Sequence, residues 1–145
     1  MAPEDRSRLI RYLDFLEDEL SDFPKFSQVD WTTYTSDRDL RRNLERWIEN
    51  IVNCSIDIAK TLLASEGREI PGSYREILKG LGSIPSFGET LGEDISQWAA
   101  LRNILAHEYL DIQWRLIESF LQRAEPVCRA LVDKVKARLK CPKPE

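Results

Sequence analysis

The chain has one histidine, His107, and only three cysteines, Cys54, Cys128 and Cys141, among its 145 residues. The cysteines are odd in number and widely spaced, which fits neither a disulfide framework nor the CxxC pairs of a metal site. We therefore expect buried or inert thiols, no bound metal and no cofactor. The same cysteine usage points to a reducing compartment, the cytoplasm.

Long hydrophobic runs are also missing. No segment approaches the roughly 18 consecutive apolar residues of a membrane span. The N-terminal sequence MAPEDRSR has no apolar stretch after its charges, so we expect neither a membrane anchor nor a secretory signal. The formal net charge of −4 excludes a general attraction to polyanions, so any action on nucleic acid requires a localised site.

Runs of alternating β-branched residues are absent, and helical periodicity dominates instead. An apolar stripe over residues 9–20 predicts the first helix. The second and longest helix is predicted to start after Ser36 as N-cap and to end at Gly67. The aromatic-rich segment between them, FPKFSQVDWTTYT, has no helical period, and we expect it to pack over the bundle as an ordered connection.

Glycine and proline punctuate the segment that follows. Ser73, with a glutamate three residues later, fits a capping box that opens a helix of about two turns. Ser86, with Glu89 three residues later, repeats the signature. The third main helix is predicted over about residues 91–108.

The last main helix is predicted to begin at Asp111 as its cap, with Pro126 causing a kink or a break near Ala124. Residues 141–145 read as a disordered tail. The sequence therefore predicts an all-α bundle of four main helices plus a short helix, in one domain spanning residues 1–140.

The third helix carries the stretch LRNILAHEYLDI and has two distinct faces when successive residues are placed 100° apart. One face is apolar and should meet the core: Trp98, Leu101, Leu105, Ile112 and Leu116. The other face has small and apolar residues at its centre and reactive polar groups at its margins: Ala99, Arg102, Asn103, Ala106, His107, Tyr109, Leu110 and Gln113. Small residues allow another helix to approach closely, which favours a second packing surface. A two-fold dimer would bring Arg102 and His107 near their symmetry mates.

These polar groups suit RNA cleavage without a metal. The His107 imidazole can move a proton near neutral pH, and the Arg102 guanidinium can bind a phosphate through two hydrogen bonds. Asn103 could orient the imidazole, and Tyr109 offers a hydroxyl for binding, proton transfer or covalent modification. The spacing alone is weak evidence, because a lone helical histidine is more often structural or solvated. From the residues alone, both interpretations stay open.

The octapeptide RNILAHEY, residues 102–109, resembles the R-N-x-x-x-H-x-Y motif of the HepT-like toxins in the HEPN superfamily. The segment IPGSYREILKGLG, residues 70–82, is similar to the Pro-x-Ser-Tyr segment that precedes the family's motif helix. SIDIAK, residues 55–60, is similar to part of the family's second helix. The resemblance runs from about residue 37 to about residue 139.

The resemblance implies a HEPN-type bundle that dimerises, with the R-x4-H motifs of two subunits facing each other across a cleft. It further implies a metal-independent endoribonuclease toxin of a type VII-like toxin–antitoxin system. Arg102 and His107 would be catalytic and Asn103 supporting. The partner would be a minimal nucleotidyltransferase antitoxin, which could join the toxin in a hetero-oligomer and transfer AMP to Tyr109. The alternative is a non-catalytic, nucleotide-binding or adaptor subunit of a nucleotidyltransferase complex.

Two other features have competing interpretations. An exposed basic row on the second helix could guide RNA phosphates: Arg38, Arg42 and Arg46. The alternation of Arg41, Glu45 and Glu49 makes a salt-bridged solvent face the more frequent explanation. Tyr74 is expected to pack under the motif helix.

Overall fold

The computed structural model of the chain describes residues 1–102 and 109–140, and every regular element in those ranges is helical. The all-α prediction is confirmed. Seven α-helices are described: α1 (Pro3–Leu20), α2 (Phe23–Phe26), α3 (Trp31–Ser36), α4 (Arg38–Ser65), α5 (Tyr74–Lys79), α6 (Glu89–Ser96) and α7 (Leu110–Lys140). Two 3-10 segments, Gly80–Ser83 and Gln97–Ala100, follow α5 and α6. No described helix is both long enough and apolar enough to cross a bilayer.

The long helices α1, α4 and α7 form the body of the bundle. Helix α1 packs against both α4 and α7. Helices α5 and α6 and the two 3-10 segments pack together, with α5 and the first 3-10 segment on α4 and with α6 on α7. The stripe predicted for α1 is confirmed, because its leucines at three- and four-residue steps are buried: Leu9, Leu13, Leu16 and Leu20. Helix α4 supplies the largest share of the core, as predicted. It is not the longest helix, as was predicted, because α7 has 31 residues and α4 has 28.

The predicted start of α4 was one residue early. Ser36 is the last residue of α3, and Asp37 caps α4 by accepting a hydrogen bond from the Leu40 N–H at 3.0 Å. The predicted end is confirmed at Gly67, which adopts a φ of +69° directly after the helix. Its N–H and that of the next residue bond back to carbonyls of the last turn. This left-handed position favours glycine because a Cβ would be strained there.

The aromatic segment between α1 and α4 is ordered and buried, as predicted, but it contains the short helices α2 and α3. Phe23, Phe26 and Tyr34 are buried, and the Phe23 ring packs edge-on to Trp47 with centroids 4.7 Å apart. Asp30 caps α3 through the Thr33 N–H at 2.8 Å. One or two turns are too short to produce a visible period, so the sequence pattern missed both helices.

The third main helix is interrupted. Helix α6 ends at Ser96, the chain continues through the 3-10 segment, and Leu101 and Arg102 are helical again. Ser73 caps α5 as predicted, but Ser86 caps nothing: it adopts a φ of +72°, and Gly88 occupies the cap position of α6.

The last helix runs through Pro126 without a break. Of the kink or break predicted near Ala124, the break is therefore wrong, and the kink stays a prediction. Ala124, Cys128 and Leu131 are buried on its inner face, and this packing holds the helix across the one backbone hydrogen bond that proline removes. Asp111 lies inside the first turn and is not the cap. The predicted tail, residues 141–145, lies outside the described residues.

The two described cysteines are free and buried, as predicted. Burial raises the pKa of both thiols, Cys54 and Cys128, to about 12. They therefore stay protonated at neutral pH and have little nucleophilic character.

Candidate active site around Arg102

Arg102 is anchored to the long helix α4. Its Nε donates a hydrogen bond to Oδ1 of Asn53 at 2.6 Å. The preceding residue, Leu101, is buried in the core and fixes the backbone from which the arginine projects. The bond holds the guanidinium in one orientation, and hydrogen bonds to charged groups are stronger than neutral ones.

Tyr74, the first residue of α5, supports the same guanidinium from its face. The Arg102 Cζ lies 4.3 Å from the centre of the Tyr74 ring, which is a cation–π contact. The tyrosine was expected to pack under the motif helix, and it is partly buried against the core in contact with the motif arginine. Ser73 fixes the start of α5 by accepting from the Glu76 N–H.

Asn53 and Tyr74 orient Arg102 without neutralising it, because neither carries a negative charge. A guanidinium has five N–H donors in a planar fork, and the Asn53 bond uses one of them. The positive charge can therefore bind an oxyanion such as a phosphate. Many buried arginines pair with a carboxylate, but the contacts described for Arg102 favour a ligand-binding role.

A cleft of about 790 Å³ opens beside Tyr74. It is lined by Lys60 of α4, by residues 70–75 and Ile77 before and within α5, and by Ser96, Gln97, Ala99 and Ala100. The Lys60 Nζ lies 5.8 Å from the centre of the Tyr74 ring, so the ring that supports Arg102 also contacts a second cation.

The other predicted catalytic residues, Asn103 and His107, lie in the segment 103–108, outside the described residues. Their roles stay predictions. The structure therefore describes one of the three expected site residues, Arg102, together with the neutral residues that orient it.

Tyr109, the predicted modification site, is 81% exposed immediately before α7. Its carbonyl accepts hydrogen bonds from the N–H groups of Ile112 and Gln113, which fixes its backbone at the helix start. The side chain is accessible to a second protein.

The two-faced helix predicted for the motif is wrong in three places. Ala99, expected to face a partner helix, is 6% exposed and belongs to this chain's own core. Ile112, expected in the core, is 42% exposed, and Gln113 is buried. The 3-10 segment at residues 97–100 turns 120° per residue instead of 100°, which misplaces Ala99 relative to Arg102. Tyr109 is not helical and α7 begins at Leu110, so angles counted from Arg102 do not apply to Ile112 and Gln113.

The sequence also gave no sign of a buried polar group that holds the start of α7. The Tyr34 hydroxyl donates to Oε1 of Gln113 at 2.9 Å and lies 3.3 Å from Oε2 of Glu45. A phenol has one proton to donate, and the shorter of the two distances assigns it to Gln113. Burial raises the pKa of Glu45 and, with the nearby Glu45 carboxylate, the pKa of Tyr34. These groups join α3, α4 and α7 one turn after Tyr109.

The basic row on α4 is exposed, as expected: Arg38, Arg42 and Arg46. Arg41 behaves differently from its predicted pairing with Glu45, because it donates to the carbonyls of Tyr34 and Thr35 at 3.0 and 3.3 Å. It therefore satisfies carbonyls at the end of α3.

Three solved structures share this fold. A toxin–antitoxin complex with AMP-PNP matches with a TM-score of 0.75 and 18% identity, covering 90% of this chain and 98% of the matched chain. A mutant toxin–antitoxin complex, MntA-HpeT, matches with a TM-score of 0.75 and 19% identity, covering 90% of this chain and 98% of the matched chain. A tri-AMPylated HEPN toxin from Shewanella oneidensis, in complex with MNT antitoxin, matches with a TM-score of 0.74 and 18% identity. The match covers 94% of this chain and 99% of the matched chain. At these identities the likeness establishes the helical fold alone.

Curated protein sequences give no match to this chain. The family model described as Ribonuclease HepT-like matches residues 16–135, which includes Asn53, Tyr74 and the whole motif segment. The chain belongs to the HepT-like ribonuclease family.

Proposed function

We propose that the protein is a metal-independent endoribonuclease toxin in which Arg102 binds the phosphate at the cleaved bond. The observation that carries the proposal is the Arg102 guanidinium held by two neutral residues, Asn53 and Tyr74. Membership of a ribonuclease family supports it. His107 is the general acid and base, and Asn103 supports the imidazole.

In the proposed reaction His107 accepts the proton of the 2′-hydroxyl, and the 2′-oxygen attacks the adjacent phosphorus. The bond to the 5′-oxygen breaks, and that oxygen takes a proton as it leaves. The products are a 2′,3′-cyclic phosphate and a 5′-hydroxyl. Water can then hydrolyse the cyclic phosphate to a 3′-phosphate. Arg102 stabilises the extra negative charge on the non-bridging oxygens in the transition state.

A homodimer fits this chemistry. In an in-line displacement the attacking and leaving oxygens lie on opposite sides of the phosphorus, so one group on each side is better placed than one imidazole serving both. Two copies of the R-x4-H motif across a dimer interface would supply both. The composite site is therefore part of the proposal.

A nucleotidyltransferase antitoxin would neutralise the toxin by AMP transfer to Tyr109. The Tyr109 hydroxyl would attack the α-phosphorus of ATP, and pyrophosphate would leave. The 81% exposure of Tyr109 supports access by such a partner. The added phosphodiester is negative and lies seven residues from Arg102, where it would compete with RNA. One structural neighbour is itself a tri-AMPylated toxin in complex with an MNT antitoxin.

Growth after induced expression tests the toxin assignment in cells. Expression of the wild-type chain alone should arrest growth, Arg102→Ala should abolish the arrest, and the exposed Arg123→Ala should preserve it. Co-expression with a cognate nucleotidyltransferase should restore growth. Mass spectrometry of the co-expressed protein should then show one or more AMP groups on Tyr109. Tight complex formation with no growth arrest and no RNA decay would instead identify a non-catalytic adaptor.

A further inference from the structure

The cleft beside Tyr74 has an unusual charge for this protein. The whole chain has 25 acidic and 21 basic residues. The described residues that line the cleft include Lys60 and Arg75 but no aspartate or glutamate. Its volume of about 790 Å³ falls within the roughly 300–1,000 Å³ of sites for small ligands. A basic cleft in an acidic protein favours an anionic ligand.

The cleft adjoins the proposed phosphate site through Tyr74. Tyr74 lines the cleft and also contacts the guanidinium of Arg102 at 4.3 Å and the ammonium of Lys60 at 5.8 Å. The Tyr74 ring thus contacts two cations, Arg102 at the proposed cleavage position and Lys60 in the cleft. Ser73 and Gln97 add polar groups to the lining.

We propose that this cleft is an RNA subsite, which holds the nucleotide next to the cleaved bond, with Lys60 and Arg75 contacting its phosphates. The inference rests on the proposed function, since Arg102 defines where cleavage occurs. Sites for single-stranded nucleic acid combine basic residues that follow the backbone with an aromatic ring, and the cleft has both. Lys60 and Arg75 are positioning residues, and Arg102 acts on the reacting phosphate.

Binding of an uncleavable RNA analogue tests the subsite. The probe is a short single-stranded 2′-O-methyl oligonucleotide, which lacks the nucleophilic 2′-hydroxyl, and binding to the full chain is followed by fluorescence anisotropy at several salt concentrations. Lys60→Gln and Arg75→Gln should each weaken binding several-fold. Each should also reduce the slope of log affinity against log salt by about 0.7, the contribution of one phosphate contact on a single strand.

Lys25 is the matched control. Its ammonium lies 5.0 Å from the Phe26 ring, a similar cation–π contact on a surface that does not line the cleft. Lys25→Gln should therefore leave both affinity and salt slope at the wild-type values. Lys60→Arg keeps the charge and should restore most of the binding, which separates lost contact from damaged folding.

Kinetics on cleavable RNA separates this inference from the proposed function. If the wild type cleaves RNA, the Lys60→Gln and Arg75→Gln variants should raise KM several-fold and change kcat little. Wild-type cleavage with unchanged KM, affinity and salt slope in both variants would overturn the subsite and leave the ribonuclease intact. Binding that depends on Lys60 and Arg75 without any cleavage would support the subsite and reject the ribonuclease. Loss of antitoxin binding with unchanged RNA affinity would identify the cleft as a protein interface and overturn the proposal.

Discussion

Arg102 is bonded to Asn53, its Nε 2.6 Å from the asparagine Oδ1, although the two residues are 49 positions apart. The motif arginine is therefore oriented by a residue of α4 that lies outside the motif. Tyr74 adds a second support from the ring face. A site built in this way depends on residues that a motif alone would not identify.

Replacing Asn53 tests this dependence. In Asn53→Ala the guanidinium loses its lateral hydrogen bond and samples more orientations. A hydrogen bond to a charged group contributes about 1.5–3 kcal/mol, so we expect kcat for RNA cleavage to fall on the order of tenfold to a hundredfold. Steady-state kinetics on a defined RNA measures the change.

Asn50→Ala is the matched control for that experiment. Asn50 lies one turn earlier on α4, bonds to Glu19, and borders the same surface groove as Asn53. Its loss removes an amide of the same kind without touching Arg102. Equal loss of activity in both variants would show that α4 stability, and not the orientation of Arg102, governs the rate.

The Tyr74 ring should matter more than its hydroxyl. Tyr74→Phe keeps the face that contacts Arg102 and should retain nearly full cleavage activity. Tyr74→Leu removes a cation–π contact of about 0.5–2 kcal/mol and should lower kcat/KM severalfold. Kinetics compares the two variants, and circular dichroism checks their helix content. Greater loss in Tyr74→Phe than in Tyr74→Leu would contradict the support role.

Glu45 should make folding stability fall as pH rises. Burial raises its pKa above the ordinary value of 4.5, so the folded state holds a proton that the unfolded state has released. The free energy of unfolding is therefore highest below 4.5 and declines as pH rises through the folded-state pKa. Glu45→Gln removes this titration. The free energy of unfolding of the variant, relative to that of the wild type, should therefore increase as pH rises from 4.5 through the folded-state pKa of Glu45. Urea denaturation between about pH 4 and pH 8 measures the difference.

The pKa of Glu19 is also raised by burial, and it contributes in the same direction in both proteins. The difference between wild type and Glu45→Gln therefore isolates Glu45. A difference that stays constant with pH would show that Glu45 titrates alike in the folded and unfolded states.

Gly92 is required by close packing. A Cβ at this position would lie 2.6 Å from the Lys79 carbonyl oxygen and 2.8 Å from the Gly82 nitrogen. Both are backbone atoms, so Gly92→Ala must push α6 away from α5 and the following 3-10 segment. We expect a loss of about 1–3 kcal/mol in the free energy of unfolding, measured by urea denaturation.

Gly72→Ala is the counterpart, because nothing lies within 4 Å of the added Cβ. Its φ is outside the left-handed region, so it should be neutral or stabilising by up to about 1 kcal/mol. Equal destabilisation at both positions would contradict the packing explanation for Gly92.

The predictions from sequence succeeded where a long helix presents a regular stripe. Helices α1 and α4 and the end at Gly67 follow from apolar periodicity and from the left-handed preference of glycine. They failed where tertiary packing overrides local signals. The helix through Pro126 is held by burial of its inner face, and the short helices α2 and α3 have too few residues to show a period.

At the candidate site the motif identified Arg102 but not the residues that orient it. Asn53 carries a weak local signal, since asparagine is a poor helix former in the middle of an apolar helix. The pairing of Tyr34 with Gln113 has no local signal, because it joins residues 79 positions apart. The 3-10 segment at residues 97–100 shifted the face assignment of Ala99, and the start of α7 at Leu110 shifted that of Ile112.

RNA cleavage by the purified protein in EDTA, with wild type, Arg102→Ala and His107→Ala measured side by side, tests the proposed ribonuclease most directly. The wild type should cleave single-stranded RNA and leave 2′,3′-cyclic phosphate or 3′-phosphate ends. Both variants should lose at least about a hundredfold in rate, the scale expected for a missing acid–base group or charge-stabilising donor. Cleavage by either variant at the wild-type rate, or wild-type cleavage only after a divalent metal is added, would contradict it.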